Sequence, residues 1–544
     1  MRMFITRVVF LASLFVWITP TQVVCQTSIE TNQPISKKSL KGFLDNIQND
    51  ENGHIHITYK TKGGKKDEVI YERYSFDNNL NFVGTFDIKE EKEAYPPMER
   101  EGFYAYVGGT TSFDVLSQKL KIQKVKFNYQ WNYKNQRYEV KSVRTLDIIK
   151  PRNDDGKVFH GCAAYYSNDY NKSGLFILAK STSKNSENDT YQILLFDDQL
   201  MLKEKALNLQ SGYTLVYCEQ LPNDEVVAIF APNKGSADPS RYIYFRLDLE
   251  GNELSRIEFN APKAAVIISA AHEQDGYVYF FGTSGKKSNN SFDQVYSEYS
   301  PIYNPGYTGL GRNLVDFKWQ KALNTEMENF HIFKFSNRAF EFASSTPVKE
   351  FKQKFITAPK DKGASPYNGK RFAVYNFLVT EEGDYLISGQ LTDRTRLGDQ
   401  LVEAYHDVLC FHFDSKGNLK AQYGIGKASN NKKNIIFGND QDLILSADGK
   451  SLYWVMYEVK GVKGYESFMD AYNGRVTFYP RYYPRITKID LASNTMGAIL
   501  VPGEGKYFLK RGKNRIWDAD TRSITYIGND EKYKAIWLSR VNMP

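Results

Sequence analysis

Short runs of alternating apolar and polar residues follow one another along the chain, and the run from Tyr242 to Phe259 shows the pattern most clearly. Ile243, Phe245 and Leu247 alternate with polar or amphipathic residues, which is the two-residue period of a β-strand. The turn that follows contains Gly251, a residue that adopts positive φ without a Cβ clash, and then the alternation restarts. This segment is predicted to be a β-hairpin whose turn is set by its own residues.

The same hairpin pattern recurs along the chain. Seven segments share it, namely Tyr71–Ile88, Val125–Leu146, Tyr191–Leu209, Tyr242–Phe259, Phe330–Val348, Val408–Ile425 and Pro484–Val501. A polar turn and a strongly apolar strand precede each one, at Glu51–Tyr59, Glu101–Gly109, Ser173–Lys180, Asn223–Phe230, Gln274–Gly282, Glu382–Gly389 and Ala447–Tyr457. The repeating unit therefore contains three or four strands, with no helical stripe of comparable strength between units.

A repeated four-stranded unit of this kind is typical of a β-propeller, in which each sheet packs against its neighbours. We predict an all-β fold over residues 26–544: a single β-propeller of seven or eight four-stranded antiparallel blades, with seven favoured because seven units have both elements. Strand-like segments between Gly505 and Val541 supply most of an eighth blade. The chain before Glu51, including Ser39–Asn46, could supply its missing strand and so remove a free sheet edge. A row of β-sandwiches is the alternative, but linkers between repeats are not evident.

One repeat carries a motif from known propellers. The segment SADGKSLYW, Ser446–Trp454, resembles the turn that opens inner strands in the TolB-type and prolyl-oligopeptidase-type families, with Ala447 in place of their proline. The resemblance covers about nine residues. It implies the geometry of an extracytoplasmic bacterial-type or WD-repeat-like propeller and no activity, because the motif is a structural turn in those families.

The first 25 residues differ from the rest of the chain. Arg2 and Arg7 precede an apolar run, Val8–Thr19, and Cys25 follows it. This order is typical of a cleaved secretory signal peptide, and we predict cleavage after Cys25 and an extracytoplasmic location: periplasm, cell surface or secreted. The alternatives are a membrane anchor, for which the run is short, and lipidation of Cys25, for which the residues before it do not fit. No membrane span is expected in the mature chain.

Charge and cysteine content exclude several classes of function. The formal charge of +8 is spread among interspersed acidic and basic residues, so a nucleic-acid partner is not expected. Cys162, Cys218 and Cys410 would remain after signal cleavage, without the spacing of a metal site. A Cys162–Cys218 disulfide is one interpretation of this set, and free buried thiols are the favoured one.

The common catalytic motifs of hydrolases, metalloproteases and nucleotide-binding enzymes are absent from the sequence. His160 precedes a predicted inner strand and is the candidate base if the chain is a propeller lyase, although a structural imidazole is favoured. His54 and His56 alternate on one strand but lack a third ligand, so no metal site is predicted. No cofactor is expected. Calcium at the acidic turns that begin at Asp77 and Asp414 is an alternative to simple turn capping.

Two insertions, near residues 283–325 and 464–484, interrupt the repeats and contain clustered tyrosine and arginine. Such side chains are enriched at recognition surfaces, and long loops on a rigid scaffold often carry function. The predicted binding residues are Tyr299, Tyr303, Tyr307, Tyr479, Arg481, Tyr482 and Tyr483, with ordinary rim packing as the alternative. The leading hypothesis is a secreted, non-catalytic propeller that binds a protein or glycan partner. The alternative is a carbohydrate-active enzyme, a polysaccharide lyase or glycosidase, acting at the channel mouth.

Overall fold

The fold was analysed in a computed structural model of the chain. It describes residues 28–61, 68–91, 96–106, 120–132, 137–154, 156, 159–165, 174–181, 190–197, 199–295, 327–361, 363–370, 372–397, 400–426, 440–460, 481–509 and 515–543. All structural statements below concern these residues.

The described residues form eight sheets, numbered here along the chain. Sheet 1 contains β2 (Phe43–Asn49), β3 (Ile55–Lys60), β4 (Glu68–Phe76) and β5 (Phe82–Glu91), and sheet 2 contains β6 (Met98–Tyr106), β7 (Lys121–Asn132) and β8 (Arg137–Ile149). Sheet 3 contains β9 (His160–Tyr165), β10 (Leu175–Ser181), β11 (Thr190–Phe196) and β12 (Leu202–Ala206), and sheet 4 contains β13 (Tyr213–Gln220), β14 (Val226–Pro232), β15 (Arg241–Leu247) and β16 (Glu253–Asn260).

Sheets 5 to 8 follow the same plan. Sheet 5 contains β17 (Ile267–Gln274), β18 (Tyr277–Ser284), β19 (Asn329–Phe335) and β20 (Phe340–Pro347), and sheet 6 contains β21 (Phe355–Thr357), β22 (Phe372–Val379), β23 (Tyr385–Leu397), β24 (Gln400–Phe413) and β25 (Leu419–Ile425). Sheet 7 contains β26 (Gln441–Leu445), β27 (Ser451–Lys460), β28 (Arg481–Asp490) and β29 (Thr495–Met496). Sheet 8 contains β30 (Tyr507–Phe508), β31 (Arg515–Asp518), β32 (Ser523–Asp530) and β33 (Ala535–Asn542) together with β1 (Ser28–Pro34).

The strand pairing confirms the repeated unit predicted from the sequence. In each sheet from 1 to 7, the predicted hairpin forms the last two strands of the antiparallel meander, and the apolar strand before it is their neighbour. The one parallel pair among the described strands joins β21 to β25, at the outer side of sheet 6. The fold is therefore all-β, built mainly from four-stranded antiparallel sheets.

The turn residues explain why the hairpins close where they do. Gly251 has φ +74°, and the Asp248 carboxylate accepts hydrogen bonds from the backbone and side-chain nitrogens of Asn252, both at 2.7 Å. The acceptor thus bonds the residue four positions further along the chain. The pairs Asp77–Asn81 and Asp414–Asn418 make the same contacts. In all three hairpins the aspartate caps its own turn.

Apolar side chains join consecutive sheets face to face. Tyr191 of sheet 3 packs edge-on against Phe230 of sheet 4, with ring centroids 5.0 Å apart, and Tyr244 of sheet 4 stacks on Phe335 of sheet 5 at 4.5 Å. Similar clusters join sheet 2 to 3, 5 to 6, 6 to 7 and 7 to 8, and another joins sheet 8 to sheet 1. This succession of packed sheets, from sheet 2 through sheet 8 and on to sheet 1, is consistent with a β-propeller.

The two ends of the described chain meet in sheet 8. Strand β1 pairs antiparallel with β33, from Ser28 opposite Val541 to Pro34 opposite Ala535. The prediction that the chain before Glu51 completes the last sheet is confirmed, but the named segment Ser39–Asn46 was wrong. Its last residues instead begin β2, because the short helix α1 (Lys37–Leu40), capped by Ser36, turns the chain from sheet 8 into sheet 1.

The helices among the described residues are short. After α1 come α2 (Phe292–Val295), α3 (Val348–Gln353) and a 3₁₀ turn at Pro502–Gly505. In the described part of the chain, none of the helices has the length and apolar character needed to cross a membrane.

Candidate functional site

The connections between neighbouring strands alternate between the two edges of each sheet. Tight turns join the first strand to the second and the third to the fourth, as in β13–β14 and β15–β16. The second and third strands are joined at the opposite edge, and the two longest of these connections lie between Ser284 and Asn329 and between Lys460 and Arg481. Both predicted insertions therefore leave the scaffold at equivalent positions of sheets 5 and 7.

The predicted binding residues fall into two groups. Tyr299, Tyr303, Tyr307 and Tyr479 lie outside the described residues. Arg481, Tyr482 and Tyr483 begin β28, so the insertion predicted to reach residue 484 ends four residues earlier than expected. The reason is that both the loop and the start of the strand are rich in tyrosine, so the sequence does not show where the loop ends and the strand begins.

Arg481, Tyr482 and Tyr483 take part in packing. Tyr482 and Tyr483 are buried, with only 4% and 2% of their surface exposed. The Arg481 guanidinium lies 4.9 Å from the centre of the Phe508 ring, and its Nη2 donates a hydrogen bond to the Glu531 carbonyl at 3.3 Å. These contacts favour the packing alternative for the two tyrosines. Their role in recognition stays a prediction.

The first strands of several adjacent sheets, such as β9, β13 and β17, contact one another and are called inner strands here. His160 is the first residue of the inner strand β9, and its side chain lies outside the described part of the structure. His54 and His56 both approach Oδ2 of Asp50, each at 3.3 Å, and His56 also contacts the Ser75 hydroxyl at 2.9 Å. No group of three or more metal-binding side chains occurs among the described residues. Cys410 is a buried free thiol, and Cys218 does not form the disulfide considered with Cys162.

Three inner strands carry carboxyl groups whose pKa is raised by burial: Asp45 on β2, Glu219 on β13 and Asp442 on β26. Tyr217 donates a hydrogen bond to Glu219. Asp442 forms a two-pronged ion pair with Arg515, whose Nη1 also donates to the Tyr457 hydroxyl at 2.7 Å. The Asp442–Arg515 ion pair joins sheets 7 and 8, and the positive charge of Arg515 balances the carboxylate. Glu219, in contrast, accepts its hydrogen bond from an uncharged tyrosine hydroxyl.

A cleft of about 100 Å³ lies at the tight-turn edge, between sheets 6 and 7. Its walls include Asp384 and Lys420 from sheet 6, and Asp448 and Lys450 from sheet 7. Lys420 Nζ donates to Asp384 Oδ2 at 2.7 Å. The sequence did not indicate this site, because its charged residues come from three separate segments: the turn before β23, strand β25 and the turn between β26 and β27.

His412 is buried next to this cleft and is 0% exposed. Its Nε2 lies 2.8 Å from Asp384 Oδ2, and its Nδ1 lies 3.1 Å from Asn494 Oδ1. Asn494 also accepts a hydrogen bond from the Tyr423 hydroxyl at 3.2 Å. Burial lowers the pKa of His412, and this effect outweighs the opposing hydrogen bond to Asp384.

Exposed apolar side chains concentrate on two outermost strands. Of the twelve exposed large hydrophobic residues in the described chain, seven lie on β5 and β8. On β8, Lys141 and Leu146 are skipped in the pairing with β7. These bulges keep Val140, Val143 and Ile148 on one face although their spacing is irregular. The alternation rule missed this surface for that reason, and exposed apolar patches can mark contacts with partners.

Comparisons with known proteins give no family assignment. No protein-family model matches the chain, and no curated protein matches it. Among solved structures, the Dos1 propeller aligns with a TM-score of 0.26 and 9% identity, over 77% of this chain and 88% of its own. A Synechocystis apocarotenoid oxygenase mutant aligns with a TM-score of 0.24 and 7% identity, over 89% and 94%.

A eukaryotic initiation factor aligns with a TM-score of 0.23 and 8% identity, over 89% of this chain and 96% of its own. At such scores and identities these alignments carry no inference about activity or partners. The description of the fold rests on the strand pairing and the packed sheets.

Proposed function

We propose that this chain is a secreted, eight-bladed β-propeller that binds a protein or glycan partner and is not an enzyme. The blade number is inferred from the eight sheets and from the pairing of β1 with β33. The binding role is inferred from the two long connections of sheets 5 and 7, which leave the same edge of the scaffold. Long connections on a rigid scaffold often carry recognition.

The tyrosines of these connections are the proposed contact residues, because tyrosine brings a large contact area and a polar tip at low entropic cost. A variant with Tyr299, Tyr303, Tyr307 and Tyr479 replaced by alanine tests the proposal. The matched control is Trp517→Ala, since Trp517 is also an exposed aromatic residue, 44% exposed, but lies on β31.

Both variants and the wild type are compared on a glycan array and by capture from native extracellular extract. We expect the four-tyrosine variant to lose a ligand that the wild type and Trp517→Ala both retain, with the melting temperature unchanged. Equal capture by all three proteins would contradict the proposed binding edge.

The proposed location has its own test. Sequencing the amino terminus of the protein isolated from its native host should give a mature chain that begins at Gln26, two residues before β1. A mature chain with a lipid-modified Cys25 would instead identify a surface lipoprotein, and an uncleaved amino terminus in the cytoplasm would contradict secretion.

A carbohydrate-active enzyme remains the second candidate function, and one observation favours it. Burial raises the pKa of Glu219 on an inner strand, and a raised pKa suits a general acid. If the wild type cleaves a polysaccharide on a panel of labelled substrates, Glu219→Gln should abolish cleavage while Glu273→Gln, a change on the neighbouring inner strand, should not. Absence of cleavage by the wild type on the whole panel would count against this second function.

A further inference from the structure

The buried histidine between sheets 6 and 7 has oxygen atoms at both ring nitrogens. Nε2 of His412 faces the Asp384 carboxylate at 2.8 Å, and Nδ1 faces the side-chain oxygen of Asn494 at 3.1 Å. Oxygens of this kind only accept hydrogen bonds, so both ring nitrogens must donate, and only the protonated imidazolium has two N–H groups. The arrangement seen is therefore the one suited to the charged ring.

The neutral ring requires a different arrangement. Asp384 Oδ2 also accepts a hydrogen bond from Lys420 Nζ at 2.7 Å, so this oxygen faces the ring as an acceptor and the single N–H of a neutral imidazole remains at Nε2. Nδ1 then carries a lone pair that faces another lone pair on Asn494. Because His412 is fully buried, the Asn494 amide has to reverse and donate its Nδ2–H to the ring.

We propose that His412 and Asn494 form a proton-dependent joint between sheets 6 and 7, in which the Asn494 amide reverses when the imidazole gains or loses its proton. Asn494 lies in the turn between β28 and β29 of sheet 7, with φ +52°, whereas His412 and Asp384 belong to sheet 6. A change at the ring is thus transmitted directly across the contact between two sheets.

The surroundings of the ring determine the direction of the effect. The charged groups facing His412 are Asp384, from the turn before β23, and Lys420, from β25. Tyr423 of β25 bonds Asn494, and Asp490 of sheet 7 and Cys410 of β24 lie near Tyr423. The Asp384 carboxylate favours the imidazolium, but burial opposes it more strongly and lowers the pKa of the ring.

The lowered pKa of His412 determines how the stability of the joint depends on pH. Histidine in the unfolded chain has a pKa of about 6.5, so below that pH the unfolded chain binds the proton before the buried ring does. The joint is therefore stable above about pH 6.5 and weakens as the pH falls towards the lowered pKa of His412, by up to about tenfold in the unfolding equilibrium constant for each pH unit. Asp384 also lines the cleft, so a proton on His412 places a positive charge directly behind the wall of the cleft.

The first test compares urea unfolding of the wild type and His412→Gln at pH 7.5 and pH 5.0. Glutamine can still donate to Asp384 but cannot titrate, and the other histidines are the same in both proteins. We expect the wild type to lose more stability than His412→Gln on acidification. An equal loss in the two proteins would overturn the proposal.

A second variant tests the role of the amide itself. Asn494→Asp supplies a carboxylate, which accepts from the ring whichever way it turns, so the charged form of His412 should be favoured and acidification should cost less stability than in the wild type. In wild-type protein with ¹⁵N-labelled imidazole rings, the His412 signal should titrate below pH 6.5 together with the Asn494 side-chain amide signal. A His412 signal that titrates while the Asn494 amide signal stays constant would overturn the coupling, whether or not the variants fold.

Discussion

Three turn glycines provide a graded test of how closely the sheets pack. Gly449, Gly251 and Gly417 all have positive φ, at +68°, +74° and +78°. They differ in what an added Cβ would meet. At Gly449 no heavy atom lies within 4 Å, whereas at Gly417 the new Cβ would lie 2.6 Å from the Ser344 Cβ of sheet 5. The same substitution thus separates backbone strain from contact between sheets.

The expected losses of stability follow from these distances. Alanine with positive φ costs about 1–2 kcal/mol at each position, and this is the whole cost for Gly449→Ala. Gly417→Ala adds an overlap that typically costs about 1–3 kcal/mol, so we expect about 2–5 kcal/mol. Gly251→Ala should fall between them, because its nearest neighbour is the flexible end of Lys205 at 3.1 Å. Valine at Gly251 or Gly417 should be worse, since β-branched residues resist positive φ.

The measurement is the urea midpoint of each single variant and of the pair Gly417→Ala with Ser344→Gly. Removing the Ser344 side chain relieves the overlap, so the double variant should be more stable than the sum of the two single losses predicts. Equal losses for Gly417→Ala and Gly449→Ala, with additive behaviour in the double variant, would refute the close approach of sheets 5 and 6 at this turn.

Three further predictions concern pH, ring closure and the rim. Burial lowers the pKa of His331 to about 4, so the unfolded chain binds a proton at this histidine first, and wild-type stability should fall as the pH drops from about 6.5 to 4. In urea unfolding at pH 7 and 4.5, His331→Asn should lose less stability on acidification than the wild type. An equal loss in the two proteins would show that His331 is accessible to protons in the folded state. The Glu30 carboxylate accepts a hydrogen bond from the Gly503 backbone N–H at 2.8 Å. Glu30→Ala should therefore lower stability by about 1–2 kcal/mol and speed hydrogen exchange in β33. Unchanged exchange would argue against β1 closing the sheet. Tyr483 is buried, so Tyr483→Ala should lower stability by about 3 kcal/mol; full stability with lost ligand capture would assign it to recognition instead.

Much of the local structure was predictable because it depends on neighbours in sequence. Alternation identified the strands of the seven hairpins, and Gly251 indicated a turn in which it does have positive φ. The aspartate caps also act locally, as in the Asp414–Asn418 pair. Each of these signals needs only a few consecutive residues, so the chain carries them without reference to the rest of the fold.

The location of individual side chains was less predictable. Tyr482 and Tyr483 follow a tyrosine-rich stretch and suggested an exposed rim, but they begin a strand inside sheet 7 and are buried. On β8, two bulges shift the pairing and bring Val140, Val143 and Ile148 to one face. A sequence pattern with a fixed period does not reveal a bulge, because the extra residue is recognised only from its partner strand.

The sequence by itself determined the strand pattern, the turn chemistry and the repeated four-stranded unit, since these depend on residues a few positions apart. The tertiary structure decided which segment completes the last sheet, where β1 meets β33 across more than 500 residues of chain. It also decided that Asp384, His412 and Asn494 form one cluster. Such contacts are set by the order in which whole sheets pack against each other, and no local pattern of residues encodes that order.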